Sequence, residues 1–152
     1  MSIPMSIPTT IRQLPLRVTT GGFILNEGLS KLEADDETAK HLHDAASRAY
    51  PVFAEIDAHA FTKALALAET ALGGALLLPG VRGRLAGLGL AAFAAALLGL
   101  YARSPGAHEP HSVRPTRDGV GLAKDVWMLG IGLSLMLDPT AGRRRRRSGR
   151  SH

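Results

Sequence analysis

Residues 85–102 read LAGLGLAAFAAALLGLYA, a run from Leu85 to Ala102 without a charge, a proline or a strongly polar side chain. Arg82 and Arg84 precede it and Arg103 closes it. At the rise of an α-helix such a run covers most of the hydrocarbon core of a bilayer, whereas helices of soluble proteins return to polar residues at every turn. The run predicts a membrane span. Every other apolar segment then has to be weighed as its neighbour inside lipid.

Three further apolar segments surround it. The first, about residues 14–32, is the most interrupted, by Arg17, Asn26, Glu27, Ser30 and Lys31. The second covers about residues 60–81, with Lys63 near its start, Glu69 inside it and Pro79-Gly80 near its end. The last covers about residues 119–137, carries Lys124 and Asp125 early, and stops at Asp138-Pro139. Between the first two lies an acidic stretch in which Asp35 and Asp36 are placed to cap a helix running through Ala49, with Pro51 to end it. The loop containing Pro105, His108, Pro110, His111 and Pro115 has no periodicity. The expected fold is all-α: an integral membrane four-helix bundle over residues 14–138 with an outer-face helical loop. A flexible N-terminus (1–13) and a disordered arginine-rich tail (139–152) flank it.

The chain has 152 residues, one domain's worth, and no cysteine. Disulfides, thiol redox centres, iron–sulfur ligation and covalently attached haem are therefore excluded, and any redox role needs a bound cofactor or a partner protein. The net charge of +5 is concentrated, since Arg143 to Arg147 and Arg150 supply six of the eighteen basic residues. This tail has no interleaved aromatic side chains to stack bases, so it reads as a clamp on anionic lipid and not as a nucleic-acid site. The opening repeat, Met1-Ser2-Ile3-Pro4 and Met5-Ser6-Ile7-Pro8, lacks the apolar core of a signal peptide.

Four spans with both termini on one face put ten basic residues and one acidic residue on that face, against seven basic and nine acidic on the other. The positive-inside rule then makes both termini cytoplasmic. Under this topology Asn26, Glu27, Lys31, Glu69, Lys124 and Asp125 fall at a shared depth in the outer half of the bilayer. Ionisable groups at that depth are costly and need a partner or a wet cavity. One reading pairs Glu69 with Lys124 and Glu27 with Lys31, so that the cluster sets the register of the bundle. The other notes three acids against two lysines, which leaves one carboxyl free to meet a ligand head group or relay a proton.

Gly83, Gly87, Ala91, Ala95 and Gly99 recur every four residues, a pattern that suits either close packing within the chain or a homo-oligomer interface. His41, His43, His108 and His111 have spacings poorly suited to a shared metal, and solvated surface positions are expected for them. Tyr50, Phe53, Tyr101 and Trp127 read as packing or membrane-interface anchors.

Thr19-Thr20-Gly21-Gly22-Phe23-Ile24-Leu25-Asn26-Glu27-Gly28-Leu29-Ser30-Lys31 resembles the opening of DoxX-like small membrane proteins, where a glycine and aromatic stretch runs into Gly-x-x-Lys. Glu69 before Gly73 with a Leu-Leu-Leu-Pro end, and Leu122 through Leu129, are similar to later elements of that family. The resemblance implies a multi-pass protein of the bacterial inner membrane. Some members of the family belong to quinone-linked sulfur oxidation or to membrane-associated redox-defence assemblies. Three functions are then open. The chain is an accessory or scaffold subunit beside redox partners, with no catalytic activity of its own; or it binds quinone, with Glu69 and Lys124 on a quinone carbonyl and Asp125 or Glu27 exchanging its proton; or it is a small transporter-like module.

Overall fold

The computed structural model describes residues 9–117 and 119–138, and among them the secondary structure is helical, with no named strand. Helix α1 spans Thr9–Leu32 and passes through Pro15 without ending. It begins before residue 14, so residues 9–13, expected to be flexible, belong to the helix. The expectations for residues 1–8 and for the arginine-rich tail from 139 onward lie outside the described residues.

Helix α2 (Asp36–Ala49) starts where its cap predicts: the Asp35 carboxylate accepts from the Thr38 backbone N–H at 2.9 Å. Thr38, through its side chain and then its backbone N–H, holds the Asp35 carboxyl below the ordinary aspartate value. A 3₁₀ turn, Pro51–Phe53, follows. Helix α3 (Ala58–Leu77) is capped by Asp57, whose carboxylate accepts from the Ala60 N–H. It ends at Leu78, extended because Pro79 follows. Helix α4 is Gly83–Arg103, slightly longer than the uncharged run at its heart. The last segment is broken once, at Lys124, into α5 (Val120–Ala123) and α6 (Asp125–Leu137).

Three helical stretches are long and apolar enough to cross a membrane: Ala58–Leu77, Gly83–Arg103 and Val120–Leu137. Helix α1 has the length, at 24 residues, but not the average apolarity. The reason lies in how its residues are distributed. Gln13, Arg17 and Thr20 are buried against the rest of the chain, while Ile11, Leu14, Val18 and Leu29 face outward. Thr19 and Ser30, also on the outer side, turn their hydroxyls back onto the carbonyls of Pro15 and Asn26.

The helices associate as two antiparallel pairs, α1 with α3 and α4 with α6. Glycine makes both pairings close. A Cβ on Gly73 would lie 2.6 Å from the Leu25 nitrogen, and one on Gly28 would lie 2.6 Å from the Thr70 nitrogen. In the other pair, Gly87 abuts Gly132 and Met136, while Gly132 abuts Ala91. The pairs join through Ile24, Leu76, Ala86, Leu90 and Leu135, all buried and mostly near the α3–α4 turn. Helix α2 lies at the opposite end. The α4–α5 connection, expected to be irregular, folds on itself through an isolated bridge between His108 and Pro115, and Tyr101 anchors it by donating to the Val113 carbonyl at 3.0 Å.

Candidate functional site

At the end near the α3–α4 turn, polar side chains from the first helix are fully employed. The Arg17 guanidinium donates to the carbonyls of Leu76 at 2.7 Å, Leu78 at 2.8 Å and Ala75 at 3.1 Å. These carbonyls lie in and just beyond the last turn of α3, where a helix leaves its acceptors without intrahelical partners. Gln13 donates to Asp138 at 2.9 Å, and Arg12 lies 3.5 Å from the same carboxylate. Arg17 is thus a helix-end clamp. In the sequence it looks only like an interruption.

Toward α2 the two pairs part, and the space between them is a cavity of about 400 Å³. Helix α1 lines it with Phe23, Ile24, Glu27 and Lys31, and α3 with Phe61, Leu65, Ala68 and Glu69. The far wall is Phe93, Ala96, Leu97 and Leu100 of α4, with Leu122, Lys124, Asp125 and Met128. Helix α2 and its following turn close one end with Leu42, Ala45, Ala46, Tyr50 and Phe53. The wall is predominantly apolar, and its polar atoms come from the cluster that the sequence singles out.

Five of the six cluster residues border this cavity; Asn26 does not. It is exposed, because Ile24 and Gly28 occupy the buried face of α1 and Asn26 lies between them on the opposite side. The expected partnership of Glu69 with Lys124 is also overturned. Gly28 brings α1 onto α3 so closely that Lys31, one turn on, reaches Glu69 Oε2 at 2.9 Å. Lys31 simultaneously reaches Glu27 Oε2 at 3.2 Å, the expected i, i+4 pair. Glu69 is thus ion-paired to Lys31, and the neighbouring Thr70 hydroxyl is buried with no hydrogen-bond partner among the described residues. Lys124, at the α5–α6 break, is exposed and holds its ammonium 5.8 Å from the centre of the Phe23 ring.

Asp125 is the outlier. Only 7% of it is exposed, it borders the cavity, and no hydrogen bond or ion pair among the described residues serves its carboxylate. Buried carboxylates without partners are rare in folded chains, because desolvation is not offset.

The small-residue series does not form one interface. Gly83 abuts the Gln13 side chain, Gly87 and Ala91 meet α6, and Gly99 receives the Tyr50 hydroxyl; Ala95 is exposed. A four-residue step overshoots a helical turn, so the row winds around α4 and touches successive neighbours. Sequence reasoning also missed how Tyr50 ties α2 to α4. Its hydroxyl donates to the Ala96 carbonyl at 2.8 Å, and the Arg103 guanidinium stacks 4.8 Å over its ring. His43 is not a solvated surface residue, because its Nε2 lies 2.9 Å from the Phe53 carbonyl and its ring meets Phe61 edge-on. Among the described residues no group of three histidines or acids is placed to hold a metal ion.

No protein-family model matches the chain, and comparisons with curated proteins and with solved structures found no match.

Proposed function

We propose that this chain is a multi-pass protein of the bacterial cytoplasmic membrane, with four spanning helices and both termini cytoplasmic, that binds a lipophilic small molecule between its two helix pairs. The cavity carries this reading: apolar walls edged by a few charged side chains suit a molecule with an apolar body and a polar head. The outward apolar face of α1 supports a fourth span despite its average, since its polar side chains turn inward. Arg12, Arg17, Arg82 and Arg84 lie toward one end of the bundle, which supports the orientation.

The resemblance to DoxX-like proteins makes a membrane redox assembly the natural setting, with the chain as an accessory subunit. A pure scaffold would have no use for a cavity edged by an unpartnered acid. Extraction into lipid nanodiscs, followed by mass spectrometry of co-extracted lipophiles, should yield a molecule enriched with the native chain and missing from Leu97→Trp, which fills the cavity. Identical profiles would reject the ligand-binding reading, and redox subunits co-extracted with both proteins would then favour the scaffold. For orientation, single cysteines at Ser47 and Ser112 should label from outside intact cells and one at Gly80 should not. The reverse pattern would overturn it.

A further inference from the structure

The cavity's polar end has a definite charge preference. Glu27, Glu69 and Asp125 supply three carboxylates, and Lys31 and Lys124 supply two ammonium groups. Lys31 is shared between Glu27 and Glu69. Lys124 follows the chain directly before Asp125, yet its ammonium is at the Phe23 ring and makes no ion pair with the Asp125 carboxylate. Asp125 therefore borders the cavity with no hydrogen bond or ion pair among the described residues, and Lys124 acts on it only at longer range. The same cavity is lined by the aromatic side chains Phe23, Tyr50, Phe53, Phe61 and Phe93. Aromatic faces attract cations, and desolvation strengthens that attraction.

We infer that the cavity takes a lipophilic organic cation, with Asp125 as its counter-ion and the aromatic walls around its body. This rests on the cavity being a ligand site, and it adds the charge of the ligand. An anionic head would meet three carboxylates. A neutral acceptor would compete for Lys31, which already serves two acids. A single positive charge answers the carboxylate that no ion pair among the described residues answers, in an environment where an uncompensated charge is costly.

The test uses two probes of matched shape with the full chain in phosphatidylcholine nanodiscs, corrected for empty discs. One is a naphthylmethyl-trimethylammonium cation; the other replaces nitrogen by carbon to give the neutral neopentyl-naphthalene. The native protein should bind the cation at least tenfold more tightly than the neutral probe, and Asp125→Asn should erase that preference. Lys124→Met, at an exposed position, should tighten cation binding threefold or more, because it removes a competing positive charge and frees the Phe23 ring. This variant decides the matter if Asp125→Asn fails to fold. Equal binding of the two probes, or a preference that survives Asp125→Asn or weakens in Lys124→Met, overturns the cation and leaves the cavity reading standing. If neither probe binds, or both bind Leu97→Trp as well as the native chain, both readings fall together.

Discussion

The two ends of the helix bundle both bury polar side chains, and they satisfy them differently. Near the α3–α4 turn, Arg17 clamps three carbonyls and Gln13 and Arg12 converge on Asp138. Near α2, Lys31 divides itself between two acids, and among the described residues the Thr70 hydroxyl has no hydrogen-bond partner and Asp125 has no hydrogen bond or ion pair. The apolar core follows the same division, since Leu76, Ala86, Leu90 and Leu135 weld the pairs together at the first end and a cavity separates them at the second. The interlocked hydrophobic core lies at the first end. The other keeps polar groups whose satisfaction is incomplete, which is where natural proteins place function at the expense of stability.

Arg17→Leu should break this contrast most severely. It strips the end of α3 of its donor, and a loss of about 3–5 kcal/mol is expected from several charge-assisted hydrogen bonds. Arg17→Lys should recover only part, because one ammonium cannot reproduce the spread of the guanidinium. Thermal unfolding in a single detergent measures both.

Lys31→Met comes next, with a loss of about 3 kcal/mol, since it leaves the buried Glu69 without its counter-charge. Adding Glu69→Leu should restore most of the stability, whereas Lys124→Met should leave it nearly unchanged. Rescue through Lys124 in place of Lys31 would contradict the ion pair. A smaller pair of effects separates neighbouring glycines of α3. Gly73→Ala pushes a methyl against the Leu25 backbone and should cost about 1–3 kcal/mol. Gly74→Ala meets nothing within 4 Å and should gain about 0.5–1 kcal/mol from helix propensity.

Much of this architecture was legible in the residues. The uncharged run lies within α4 with a margin at each end, and Asp35 and Pro51 bracket α2 as their capping and breaking chemistry requires. The shared depth of Glu27, Lys31, Glu69, Lys124 and Asp125 followed from counting turns, and these side chains do border one cavity. Depth, however, does not give azimuth. Which lysine reaches Glu69 depends on how closely α1 approaches α3, and Gly28 decides that only once the two helices are in register. Asn26 shares the depth and faces the wrong way. Arg17 was legible as a costly charge, but its carbonyl partners lie 58 to 61 residues away, beyond any local pattern.

The contrast between the two ends comes down to one side chain at each. Arg17 stabilises the fold; Asp125 is held against it. The most direct measurement is the melting temperature of Asp125→Leu beside that of Arg17→Leu, in the same detergent and without added ligand. Asp125→Leu should melt at or above the native protein, because it removes a buried carboxylate with no hydrogen bond or ion pair among the described residues, while Arg17→Leu melts well below. If Asp125→Leu falls as far as Arg17→Leu, Asp125 is part of the structural framework and the division between the two ends is wrong.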